Sequence, residues 1–179
     1  GGNALRAAVL GANDGLVSIL SLVMGVAGAN LPNHDVFIAG IAGLLAGAGS
    51  MALGEWLSVQ SSRELYVHQI KIEKEELENS PAEEQQELML IYMAKGLPEA
   101  RAKEMAAAII ADPGSALDTL AREELSIDPR ELGGSAYVAA LTSFLLFSLG
   151  AIFPILPFVF LSGNLAIYVS MGVSAVALF

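Results

Sequence analysis

The sequence predicts an all-α membrane protein with four transmembrane helices and a cytoplasmic insert of three to four helices between the second and the third. Three observations carry that prediction. Of 179 residues, 54% are hydrophobic and 16% charged, and the mean hydropathy is +0.58, too apolar a mixture for an ordinary water-soluble domain. Every one of the nine basic and 19 acidic residues lies at or before Glu131, so the stretch from Leu132 to Phe179 carries no charge. Residues 62–131, by contrast, hold 16 acids against eight bases, with helical rather than strand signals throughout. The expected organisation is therefore 1–61 for the first two spans, 62–131 for an acidic soluble insert and 132–179 for the last two spans.

A span needs about 20 apolar residues to cross roughly 30 Å of hydrocarbon. The first candidate runs from about Ala8 to Leu31, interrupted only by Asp14, and is too long and too interrupted for a signal peptide. The second runs from about Val36 to Gln60 and carries one charge, Glu55. Small residues such as Gly25, Gly28, Gly40, Gly43, Gly47 and Gly49 let these helix backbones approach closely. No Gly or Pro falls between Glu55 and Glu78, so the second helix is expected to continue unbroken into the insert. Ser80-Pro81-Ala82-Glu83 reads as the next helix start, with Ser80 as N-cap, Pro81 at the first position and Glu83 closing a capping box. Gly96 ends that helix. A third begins near Pro98 and stops at Asp112-Pro113-Gly114, and a short fourth runs from about Ser115 to Glu124. The third span covers about Ala136 to Leu156 and the fourth about Asn164 to Phe179, joined through Pro154, Pro157 and Ser162-Gly163-Asn164. The last apolar run leads to the expectation of a further C-terminal portion. Arg6 precedes the first span, the 31–35 loop has no Lys or Arg, and residues 63–130 hold eight, which puts the N-terminus and the insert in the cytoplasm.

Several function classes drop out. With no cysteine there is no disulfide scaffold, thiolate metal site or thiol nucleophile. A net charge of −10 opposes nucleic-acid binding and favours cations as partners. No Gly-rich phosphate loop, Ser-His-Asp arrangement or HExxH is present, so an enzyme is not expected. His34 and His68 form no ligand motif and read as lone surface residues.

The acids carry the chemistry. Glu73 and Glu76 are three apart, as are Glu84 and Glu87, so each pair shares a helix face, and the break at Asn79-Ser80 lets the two helices fold back on each other. Converging carboxylates repel unless a cation sits between them. Fe²⁺, Mn²⁺ or, as a surrogate, Zn²⁺ accepts such oxygen ligands, and Glu123 or Glu124 could complete the set. The competing reading makes the run Glu73-Lys74-Glu75-Glu76-Leu77-Glu78 a solvated helix face. Asp14 and Glu55 lie inside spans, where an ionised group costs about 2.5–3.5 kcal/mol and normally faces a cavity, partner or pathway. Both are expected at similar depths, with Met51 one turn deeper than Glu55 offering a thioether, so that the three form an entry site. The competing reading leaves the two acids in the headgroup zone and Met51 as packing.

Gly11-Ala12-Asn13-Asp14-Gly15-Leu16-Val17, Ser50-Met51-Ala52-Leu53-Gly54-Glu55-Trp56 with Ser58, Gln60 and Ser61, and the Glu-rich insert before further spans resemble the vacuolar iron transporter family. The resemblance covers essentially the whole chain. It implies five spans, a homodimer with the pathway between its first two spans, and export of Fe²⁺ or Mn²⁺ from the cytoplasm in exchange for protons. It further implies pathway roles for Asp14 and Met51 and metal ligation by Glu73, Glu76, Glu84, Glu87 and Glu124. Three departures stand out: no fifth span, Leu120 and Ala121 where the plant-type pattern has two methionines, and Gly43 where some members carry an acid. The opening Gly1-Gly2-Asn3-Ala4-Leu5-Arg6 resembles the junction in bacterial members whose transporter portion follows a ferritin-like domain, which points to a bacterial inner membrane rather than a vacuolar one. A rival function is a membrane-tethered metal buffer or sensor that binds cations and moves none.

Overall fold

A computed structural model describes residues 2–129 and 134–178. Among them are eight helices and no strand. They fall into two compact units, residues 1–58 with 135–179, and residues 59–134.

The first unit contains α1 (Gly2–Gly28), the apolar part of α2 (Asn33–Asn79), α6 (Ala136–Ile155), the short α7 (Pro157–Phe160) and α8 (Asn164–Ala177). Among the described residues, three helices are long and apolar enough to cross a membrane: Ala8–Gly28 within α1, α2, and α6. This is a membrane protein of multiple apolar helices. The predicted fourth span forms α8, whose 14 residues are fewer than the length a crossing needs. The core of the unit joins Ile19, Val23 and Ala27 of α1 to Val36, Leu44 and Ala48 of α2 and Phe147, Ala151 and Ile155 of α6. Large apolar side chains such as Leu45, Leu141, Leu145 and Leu149 stand exposed, as lipid-facing side chains do.

Glycines set the closeness of these helices. A β-carbon on Gly15 would run into the Phe147 carbonyl, and one on Gly150 into the Ala12 carbonyl, so α1 and α6 meet backbone to backbone. Gly40 takes Val23 and Ile155, the latter 2.9 Å from where a β-carbon would stand. Gly43 takes Leu22 and Ile19, while Gly11 takes the Met51 methyl. These meetings fix α1 and α2 as antiparallel neighbours, with Gly11 level with Met51. At one end of the unit the Asn33 amide donates to the Leu161 carbonyl at 2.5 Å, tying the α1–α2 and α7–α8 connections. The buried Ser170 hydroxyl donates to the Pro154 carbonyl at 2.8 Å.

The second unit holds the polar end of α2 with α3 (Pro81–Ala94), α4 (Glu99–Ile110) and α5 (Pro113–Glu123). As the absence of breakers predicts, α2 runs unbroken for 47 residues. Leu88, Tyr92, Ala102, Ala106 and Leu120 form the core, with Leu77, Met89 and Ile109 packed on it. Gly96 (φ 98°) ends α3, where the Leu97 amide returns to the Tyr92 carbonyl at 3.1 Å. Two expectations need correction. Ser80 sits at the α3 N-cap position but its side chain makes no capping bond; its carbonyl accepts instead, from Glu83 N–H at 2.9 Å and Glu84 N–H at 3.3 Å. Pro113 opens α5 instead of merely ending α4, because Asp112 accepts from Gly114 N–H at 3.1 Å and proline is suited to a first helical turn.

Candidate metal centre and membrane acids

The polar end of α2 has two chemically different sides. Lys71 pairs with Glu75 at 3.6 Å and Lys74 with Glu78 at 3.7 Å, four residues apart and exposed. For Glu75 and Glu78 the solvated-face reading therefore holds. Glu73 turns the other way and is 2% exposed. The fold-back at Asn79-Ser80 lays α3 beside it, and Glu84, 5% exposed, comes from the first turn of α3.

Glu124 comes directly after α5. Glu73, Glu84 and Glu124 each offer a carboxylate oxygen, and the three lie within 4.8 Å of one another. The other candidate at the end of α5, Glu123, is taken by Lys95, which also lies 6.0 Å over the Tyr92 ring. Sequence spacing left Glu123 and Glu124 as equals; the lysine separates them. Arg122 grips Asp128 with two bonds of 2.7 and 3.0 Å and Asp118 with one of 3.1 Å. The Ile127 amide returns to the Ala121 carbonyl at 2.8 Å past Ser126 (φ 56°), so the chain bearing Glu124 is tied on both sides. Neither Lys95 nor Arg122 was marked by sequence pattern, since a lone cation near an acid-rich helix does not declare its partner.

Burial, then the charges of Glu124 and Glu84, push the Glu73 carboxyl up to about 8. Glu84 is raised by burial first and by Glu87 and Glu76, while its hydrogen bond with Glu73 acts the other way. Glu124 is raised by burial, then by Glu87, Glu84 and Glu76. Glu76 and Glu87 are exposed but lie within electrostatic reach of the trio. One Glu73 oxygen, Oε1, is buried without a hydrogen-bond partner. A buried acceptor in a nest of like charges is costly when empty and well matched to a cation. Leu120 and Ala121, at the positions of the plant-type methionines, are fully buried in the core, so the described donors at this centre are oxygens.

The membrane acids are arranged differently from the prediction. Asp14 is exposed on the single chain and accepts from the Ser18 hydroxyl at 3.2 Å; Glu55 is also exposed. They are not at similar depths. With Gly11 level with Met51, Asp14 lies about one turn beyond Met51 in one direction and Glu55 about one turn in the other, some 10 Å apart along the helices. Position along each helix does not fix this, because only packing sets the register between helices. Instead of gathering at one level, Glu55, Met51 and Asp14 are staggered along the two helices. Gly43 is closed over by Leu22, which fills the space an acid there would use. His34 and His68 are exposed.

The sequence profile of the VIT family matches residues 5–179. This chain belongs to the VIT family. Among its relatives, vacuolar iron transporter 1 of Oryza sativa subsp. japonica is 34% identical over 181 residues, covering 99% of this chain and 70% of the rice protein. The vacuolar iron transporter of Acanthamoeba castellanii is 38% identical over 153 residues, covering 85% of this chain and 54% of its own length. Vacuolar iron transporter 1 of Arabidopsis thaliana is 31% identical over 182 residues, covering 99% and 71%. This VIT-family chain thus spans between about half and about seven-tenths of these relatives.

Proposed function

We propose that this chain is the core of a carrier for divalent transition metals, Fe²⁺ or Mn²⁺, exporting them from the cytoplasm across the membrane in exchange for protons, and that it works as a homodimer. One observation carries the reading: three carboxylates from three separate segments of the acidic unit converge within 4.8 Å, two of them buried. Acids are brought together at such a cost where a cation offsets it. The names of the relatives, vacuolar iron transporters, supply the substrate class and point away from an enzyme.

In this reading the insert faces the cytoplasm, collects the ion on Glu73, Glu84 and Glu124, and uses Glu76 and Glu87 to raise the local cation concentration. Ligation needs deprotonated carboxylates, so metal capture releases the proton that Glu73 holds up to about pH 8. Glu55, Met51 and Asp14 receive the ion in turn across the membrane unit. Protonation of Asp14 from the far side frees the ion, which couples the two fluxes. Zn²⁺ fits the oxygen donors as a laboratory substitute.

The test is flux in sealed proteoliposomes. With Mn²⁺ outside and an internal indicator, the unmodified chain should load the vesicles, and Asp14→Ala should not, while keeping its helix content. Metal binding without flux in the unmodified chain would establish the rival, a membrane-tethered buffer or sensor.

A further inference from the structure

Trp56 and Tyr137 approach from two helices at the same end of the membrane unit, with ring centroids 6.5 Å apart and planes tilted by 58°. Their place in the chain is telling. Residues 36–54 of α2 carry no charge, Glu55 is the first, and Trp56 comes next. Tyr137 lies in the first turn of α6, just after Ser135 caps that helix by accepting from Val138 N–H, and the helix beyond it is uncharged. Gly47 facing Phe147 and Gly40 facing Ile155 run α2 and α6 antiparallel, which brings the end of one apolar run level with the start of the other.

The pair is poorly explained as core packing, since Tyr137 is 78% exposed and Trp56 only half-buried. In hydrocarbon the Tyr137 hydroxyl and the Trp56 indole N–H would lack partners; in bulk water the rings would be unsheltered. The headgroup and glycerol layer of a phospholipid bilayer offers polar partners and apolar cover together.

We infer that Trp56 and Tyr137 are an interfacial anchor that contacts this layer and fixes the depth of α2 and α6, so that Glu55 meets the ion in the headgroup zone, not in hydrocarbon. Met51 and Asp14 are then the successive steps inside. The anchor itself rests on the membrane reading alone; the role given to Glu55 rests on the proposed transport.

Trp56 is the chain's single tryptophan and the chain has no cysteine, which makes both depths measurable. In bilayers of brominated phosphatidylcholine, lipids brominated near the headgroup should quench Trp56 at least about twofold more than lipids brominated near the chain ends. The reverse order, quenching by aqueous acrylamide alone, or shielding from all three would each overturn the anchor. A nitroxide on Glu55→Cys should collide with a water-soluble nickel chelate more than one on the exposed mid-span Leu45→Cys. Equal shielding at the two positions would return Glu55 to the hydrocarbon. Neither readout depends on flux, so a failed transport assay leaves this result standing and the converse also holds.

Discussion

Glu73 concentrates the chemistry of the acidic unit because, of the three converging carboxylates, it has the least access to water. Between its ordinary value of 4.5 and about 8 the folded carboxyl keeps a proton that the unfolded chain has shed. The folded state binds more protons there, so the metal-free protein should lose stability as pH rises through that window. Metal affinity should move oppositely, rising toward pH 8 as the proton leaves. Calorimetric titration of the full chain with Mn²⁺ at pH 6 and pH 8 checks the sign. Glu73→Gln should weaken binding by roughly tenfold or more, as loss of a charged partner is worth about 1.5–3 kcal/mol, and should flatten the pH dependence. The neighbouring glutamates provide a sharper comparison. Glu124→Gln should weaken Mn²⁺ binding, whereas Glu123→Gln, which removes only the partner of Lys95, should cost far less.

At the scale of elements, the α1–α6 contact is the least forgiving part of the membrane unit. Backbone carbonyls cannot step aside as the end of a flexible side chain can, so Gly150→Ala must push the helices apart. A cost of about 1–3 kcal/mol is expected, read as a lower unfolding temperature by circular dichroism in detergent. Gly25→Ala, with open space around its β-carbon position, should stay within about 0.5 kcal/mol. In the acidic unit the corresponding element is the end of α5. Arg122 and Lys95 hold its acids on either side of Glu124, which leaves that carboxylate as the one turned to Glu73 and Glu84.

For the whole molecule, the proposed function together with the division into a membrane unit and an acidic unit implies that capture and passage can be separated. Asp14→Ala should leave Mn²⁺ binding at the glutamates intact while abolishing flux. Removing metal with a chelator should lower the unfolding temperature, since a ligand that binds only the folded state stabilises it by mass action. The loss should be larger at pH 8 than at pH 6, where protons already relieve the repulsion among the acids. An unfolding temperature indifferent to chelator at both values would remove the glutamates from the metal account.

By itself the sequence determined the features that composition and local order control. Long apolar runs marked the three helices that are long and apolar enough to cross a membrane, the absence of breakers gave the 47-residue α2, and Gly96 and the Asp112-Pro113 step marked helix ends. Spacing put Glu73 near Glu76 and Glu84 near Glu87 along their helices, but it did not separate the buried member of each pair from the exposed one. Only the tertiary structure decided which acids meet. That Glu73 turns inward while Glu75 and Glu78 pair with lysines, and that Lys95 takes Glu123 and leaves Glu124, depends on contacts between segments far apart in the chain. The same holds for Asp14 and Glu55, whose difference in depth arises from Met51 seating on Gly11, since a helix fixes positions along itself but not its register against a neighbour.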